Sequence, residues 1–220
     1  MNPQAMLDGL TSYLCMVIII TVHEFGHAVA AVRLGDDTPR LQGRVTLNPI
    51  AHMDLIGTVA LPLIALFLAA SGTMGMTAAG FIIGWGKPVQ FNLGNLRNRH
   101  TGPLIIAMAG PLMNVVIAVI AVGFIHVGNL TGHQIVNNAC LNLAQLSMYL
   151  FFFNLLPIPP LDGSYVLKHF TGMSWETFHM FGRYGLFALI LLLQVREVRI
   201  YLAVATHSSI VFMARVLGVV

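Results

Sequence analysis

The sequence predicts an all-α polytopic membrane protein of about five or six membrane segments, with one short membrane-associated β element. Three observations carry this. First, 57% of the 220 residues are hydrophobic and only 9% are charged, where a soluble domain has about a quarter charged. Second, the apolar residues fall into long runs separated by loops that hold most of the Lys and Arg. Third, Arg44 to Leu47 alternates and contains two β-branched residues, as a short strand does.

The first helix is expected from about Ala5 to Leu34, with Gly35 as its stop. Asp36 to Leu55 is polar and extended, and Asn48-Pro49 ends the strand. An open strand edge there could receive an extended peptide; a plain surface hairpin fits equally. Gly57 to Trp85 reads as two apolar arms, each short of the ~20 residues a full span needs. A re-entrant hairpin over 57–85 is expected, with one oblique helix as the alternative. Trp85 suits the headgroup level, and Lys87, Arg97 and Arg99 the aqueous side. Thr101 to Val127 is the next helix, where Gly110 and Pro111 permit close approach and a kink. Asn114 reads as interhelical glue. A turn at Gly128 to His133 leads into a helix from about Gln134 to Leu156, which three prolines in four residues terminate. Further helices are expected at Phe178 to Val195 and Ile200 to Val220.

The formal charge of +3 is small and dispersed, so no nucleic-acid footprint exists. Cys15 and Cys140 lie in apolar runs and imply neither a disulfide framework nor a Cys-type metal site. Met1 to Leu10 contains no Lys or Arg, which argues against a cleaved signal peptide.

The chemistry sits inside the first apolar run, as His23-Glu24-Phe25-Gly26-His27. On a helix His23 and His27 are at i and i+4, so both imidazoles leave one face. That suits two nitrogen ligands on one Zn²⁺. Glu24 points about 100° away from His23. It is poorly placed to share the metal, but it can take a proton from a water at such a site; H-E-x-x-H is the zinc-peptidase signature for this reason. A carboxylate and two imidazoles in a bilayer-length helix are costly and point to function. The competing reading has them pairing with neighbouring helices. A catalytic zinc takes three protein ligands. Most other acids lie in polar loops or at segment ends, whereas Asp162 stands on a proline-fixed backbone at the end of an apolar helix. Asp162 could instead be the N-cap of a helix starting near Gly163. The remaining histidines, such as His52, His100 and His169, lack ligand spacing and read as packing or interfacial residues.

With H-E-F-G-H at 23–27, A-G-P-L-M-N at 109–114 and N-L-L-P-I-P-P-L-D-G at 154–163, the chain resembles the site-2 protease family of intramembrane zinc metalloproteases (peptidase family M50). Thr46-Leu-Asn-Pro49 and Gly84-Trp-Gly-Lys-Pro88 resemble stretches of its compact bacterial and archaeal members. The resemblance implies His23, His27 and Asp162 as ligands of one Zn²⁺ per chain, and Glu24 as general base. It places Asn154 near the metal, where its amide could hold a substrate carbonyl or the oxyanion. It implies one intramembrane metalloprotease domain over 1–220, with a core at about 5–170 and C-terminal membrane segments at about 176–220. Only the short Gly128–His133 turn joins the third and fourth helices, so a PDZ-like insertion has no place there, and no CBS-like tail is expected.

The expected function is zinc-dependent hydrolysis of peptide bonds in or near transmembrane helices of membrane-protein substrates. The alternatives are a membrane transporter, or a zinc-binding inactive scaffold. A transporter has no need of Glu24 beside the first His; an inactive scaffold could dispense with it. Loops 33–55 and 85–102 hold Arg33, Arg40, Arg44, Lys87, Arg97 and Arg99, six of the eleven basic residues. With a hairpin between them, the positive-inside rule puts both loops, and the site, on the cytoplasmic side. The membrane is then the plasma (inner) membrane of a prokaryote, and the partners are the lipid bilayer and transmembrane protein substrates.

Overall fold

The computed structural model describes residues 3–70, 85–132 and 134–219. Among these the chain is almost entirely helical. Helix α1 is Pro3–Arg33 and α2 the short Thr38–Leu41. A π-helical turn at Leu55–Ala60 runs directly into α3, Leu61–Ala70. Then come α4 (Gly102–Thr131), α5 (Gln134–Asn154), α6 (Gly163–Thr171), α7 (Trp175–Gln194) and α8 (Arg196–Val216). Among the described residues three stretches are long and apolar enough to cross a membrane: Met6–Arg33, Gly102–Asn129 and Trp175–Gln194. The two other long helices, α5 and α8, are less apolar; α8 opens on Arg196, Glu197 and Arg199.

The packing is that of a protein whose solvent is lipid. In α1 the exposed face carries Leu7, Leu10, Leu14 and Ile18, at helical spacing. The buried face carries Ile19, Ala28 and Ala31. Small side chains let helix backbones approach where burial of apolar surface supplies little drive. Thus Ala118, Ala121 and Val122 of α4 meet Ala144 and Met148 of α5 and Ile210 and Ala214 of α8 in one cluster. A second cluster, Phe153, Leu161, Leu189 and Leu202, clamps the proline-rich turn after α5. A third joins Ala31, Leu96 and Ile106, so the start of α4 is held against the end of α1.

Arg44 to Leu47 is not a strand. Its polar groups are spent elsewhere: the buried Arg44 guanidinium donates to the Ala51 and Lys87 carbonyls, and the Thr46 carbonyl accepts from the His52 ring at 2.8 Å. The described residues contain one antiparallel bridge pair instead, Met53 with Gly86. Around it the Thr58 hydroxyl donates to the Trp85 carbonyl at 2.6 Å, and Lys87 N–H to the His52 carbonyl at 2.8 Å. Residues 58 and 85 therefore lie side by side. Between them α3 has ten residues, about 15 Å of helix. The far arm of the expected hairpin, 71–84, lies outside the described residues, as does His133. The loop before α4 joins the end of α1, where Arg97 N–H donates to the Leu34 carbonyl at 3.0 Å.

Candidate metal centre

Two segments far apart in the chain, α1 and the turn before α6, bring His23, His27 and Asp162 together, with one ligand-type atom of each within 4.8 Å of the others. The two imidazole Nε2 atoms are 3.0 Å apart. Asp162 Oδ2 lies 3.2 Å from His23 Nε2, and Oδ1 lies 3.5 Å from His27 Nε2.

Each residue is held for a local reason. The i,i+4 pair on α1 sets the two rings edge to face, with centroids 4.7 Å apart. His27 Nδ1 is 2.7 Å from the Ile106 carbonyl of α4. A carbonyl can only accept, so Nδ1 carries the proton and the Nε2 lone pair is left facing the cluster. Gly110, one turn further along α4, lies directly against both rings; a Cβ there would overlap His27 and come within 2.8 Å of His23 Cε1. Asp162 occupies the N-cap position of α6, yet its backbone is helical (φ −60°, ψ −35°) and its side chain makes no capping bond. The carboxylate is thus not spent on the helix. The turn that presents it is fixed by the prolines, by Ser164 Oγ donating to the Leu161 carbonyl at 2.6 Å, and by Gly163, whose missing Cβ makes room for the Leu155 backbone.

The donor set fits a cation. Neither Asp162 Oδ2 nor His23 Nδ1 finds a hydrogen-bond partner, although both are buried. An orphaned buried carboxylate oxygen is costly unless a positive charge answers it. A tetrahedral Zn²⁺ with bonds of about 2.0–2.1 Å spaces its ligand atoms roughly 3.3 Å apart. The two Nε2 atoms, 3.0 Å apart, are near that spacing, and each has a carboxylate oxygen of Asp162 near it too, Oδ2 at 3.2 Å from His23 and Oδ1 at 3.5 Å from His27.

The cluster lies in a cavity of about 510 Å³ that Glu24, Asn114 and Asn154 also line. Glu24 Oε2 accepts the Val89 N–H at 2.9 Å, so this carboxylate is aimed from the loop beyond Gly86 rather than from its own helix. Burial pulls the Arg44 guanidinium below its usual value, and the Glu24 carboxylate works against that pull. Asn154 is on the cavity wall as expected, with its amide donating back to the Leu150 carbonyl at 3.0 Å. Asn114 differs from its reading as glue. It is fully buried, and neither of its amide atoms has a partner.

Some contributors had no signal in the sequence. The Val89 N–H and the Ile106 carbonyl are backbone groups and carry no residue code. Arg44 was legible only as a loop charge. Asn114 stands four residues after Gly110, one helical turn along the same face of α4; that spacing is the signal that could have found it.

No protein-family model matches the chain, and no solved structure does. Among curated proteins it is 33% identical over 169 residues to "Putative zinc metalloprotease YwhC" of Bacillus subtilis, covering 73% of this chain and 69% of that one. It is 31% identical over 144 residues to "Putative zinc metalloprotease Rip2" of Mycolicibacterium smegmatis, covering 66% of this chain and 51% of that one. The protein of the same name from Mycobacterium tuberculosis is 28% identical over 152 residues, 69% of this chain and 54% of that one. The chain thus spans about half the length of the mycobacterial proteins.

Proposed function

The chain belongs to the site-2 protease family of zinc metalloproteases, and from that premise we propose that it hydrolyses peptide bonds in or beside transmembrane helices of membrane-protein substrates. The observation that carries this is the convergence of His23, His27 and Asp162 in one cavity with Glu24. The first three would hold Zn²⁺, one per chain. When bound, the metal would lower the pKa of water toward ~7 and polarise a scissile carbonyl.

This chain's own residues then have separate tasks. The His27–Ile106 bond fixes the tautomer of the neutral ring, with its lone pair on Nε2, the nitrogen that faces the cluster. Glu24 is anchored by one oxygen, Oε2, on Val89 N–H. Its other oxygen is free to take a proton from the attacking water as the new C–O bond forms, and to deliver it to the amine nitrogen as the C–N bond breaks. The amides of Asn154 and Asn114 are candidates to hold the substrate carbonyl. A substrate helix hides its carbonyls, so the cut segment must unwind. The chain near Met53 and Gly86, already a bridge pair, is the proposed place for its main chain to dock.

The finer membrane layout is also a proposal. We read five or six membrane segments, adding α5, α8 and the 57–85 hairpin to the three clear spans. We read the whole chain as one catalytic unit in a prokaryotic plasma membrane, with the site toward the cytoplasm. Gln42 and Gln90 support a shared side for the two basic loops, because their side chains meet at 3.4 Å. Cysteines at these two positions, in a background lacking Cys15 and Cys140, should resist an impermeant reagent added outside. Strong labelling of either would overturn the orientation.

The activity itself is tested by comparing membrane proteomes of wild-type and Glu24→Gln strains. Membrane proteins that accumulate uncut in the variant, and are cut by purified wild type, are the substrates. An unchanged proteome together with no cleavage by purified enzyme would sink the proposal.

A further inference from the structure

A second cavity, of about 270 Å³, lies behind the metal centre. Three segments wall it: Arg99, His100, Pro103 and Leu104 at the start of α4; Tyr165, Lys168 and His169 of α6; and Trp175 at the start of α7. The apolar spans of α4 and α7 begin at Gly102 and Trp175. The cavity therefore sits where two membrane helices leave the hydrocarbon, the level that Trp and Tyr favour.

Its chemistry is one-sided. Arg99 and Lys168 bring two cations, no Asp or Glu lines the wall, and the His100 and His169 rings stand beside them, with His169 Nδ1 donating to the His100 carbonyl at 3.2 Å. Arg99 spends one N–H on the Gly94 carbonyl at 3.2 Å and keeps the rest of its fork. Lys168 Nζ stands 4.0 Å above the Trp175 ring, a contact that orients the ammonium without neutralising it. Ion pairs among the described residues involve neither cation. The two imidazoles meet at a tilt of 60° with centroids 4.6 Å apart, tying the α4 turn to α6. Pro103, Leu104 and Met173 supply apolar wall beside these polar groups. Two cations without an ion-pair partner, over an apolar wall at the membrane surface, match a phosphate group on an acyl-chain lipid.

We propose that this cavity binds a phosphate group, with the headgroup of an anionic membrane lipid as its expected source. The site is joined to the chemistry. Tyr165 lines both cavities, and α6 begins directly after Asp162. A bound headgroup would tie α6 to the starts of α4 and α7, and so steady the turn that presents Asp162.

The test uses the full chain reconstituted in nanodiscs of equal phosphatidylglycerol and phosphatidylcholine, with retained lipid read by native mass spectrometry. Wild type is expected to retain phosphatidylglycerol over phosphatidylcholine by about tenfold or more, as two basic groups at a membrane surface would give. Arg99→Gln/Lys168→Gln should lose that preference, and Lys168→Arg should keep it. Millimolar inorganic phosphate separates the two sources: failure to displace phosphatidylglycerol supports the lipid, and displacement supports soluble phosphate in the same site. No preference in wild type, or an undiminished preference in the double glutamine variant, would overturn the proposal. Retained lipid is read without any cleavage assay, so the result is independent of the protease reading.

Discussion

Two polar clusters flank the C-terminal end of α1, and they are built in opposite ways. In the loop cluster Asp36 is fully buried and every bond is closed. Its oxygens accept from Thr38 N–H (3.1 Å), Thr38 Oγ1 (2.5 Å), Asn92 N–H (2.6 Å) and Asn95 Nδ2 (2.9 Å). In the candidate metal centre Asp162 has imidazole nitrogens around it and an oxygen with no hydrogen-bond partner. The same side chain is a structural rivet in one place and an open valence in the other. A closed cluster contributes stability and can do no chemistry. An open one costs stability until a cation fills it, which is the condition for binding that cation tightly.

The comparison can be broken most sharply at Glu24. Glu24→Gln keeps an amide oxygen that can accept from Val89 N–H but removes the basic carboxylate. General bases contribute about 10²–10⁴ in rate, and the loss here should be at the upper end. Zinc content and unfolding temperature should match wild type. Single-turnover cleavage at equal zinc occupancy measures it; wild-type turnover would end the assignment of Glu24 as base.

Next is Asp162→Ala, which should abolish tight zinc binding while the helices stay assembled. None of the three apolar clusters includes Asp162. Metal analysis of purified protein gives the stoichiometry, and full retention at unchanged affinity would take Asp162 out of the site. A gentler probe is Gly110→Ala. The added methyl must push both imidazoles, so zinc affinity should fall by about 10–100-fold, as for other disturbances of ligand orientation. Competition with a chelator reads that shift.

These residues also divide what the sequence made legible from what it hid. His23, Glu24 and His27 share one helix, so their geometry follows from 3.6 residues per turn alone. Asp162 was legible because prolines fix the backbone before it. The apolar runs gave the long helices to within a few residues at most ends: α1 is Pro3–Arg33 against an expected 5–34, and α5 stops at Asn154, just before the prolines. The last helix begins earlier than its apolar run because Arg196, Glu197 and Arg199 are helical too. The β element failed for a reason that alternation cannot express. A strand needs an edge to pair with, and here the buried Arg44 takes the carbonyls of Ala51 and Lys87. Asn114 was misread because helix packing and cavity lining put the same demand on a sequence, a polar residue on a buried face. Backbone donors such as Val89 N–H stay invisible until the loop is folded against α1.

The smallest effect expected is at the closed cluster, and it has a pH signature. Burial alone would raise the Asp36 carboxyl, but the donors from Thr38, Asn92 and Asn95 outweigh it and hold the group below the ordinary carboxylate range. A depressed folded-state pKa means the unfolded chain takes up the proton first. Asp36 therefore contributes its full stabilisation above the unfolded value, about 3.9, and loses it as pH falls through the lower folded value. Asp36→Asn replaces one acceptor oxygen by an NH₂, so either Asn92 N–H or the Thr38 and Asn95 donors must face a donor. The cost should be about 1.5–3 kcal/mol at pH 7, the scale of hydrogen bonds to a charged group. Zinc affinity and cleavage should change little at a temperature where both proteins are folded. Thermal unfolding in detergent from pH 7 to pH 3 is the measurement. The gap between wild type and variant should stay constant down to about pH 4 and narrow below it. A gap that widened with acid, or a variant that unfolded normally but lost zinc, would mean that Asp36 serves the open cluster rather than the closed one.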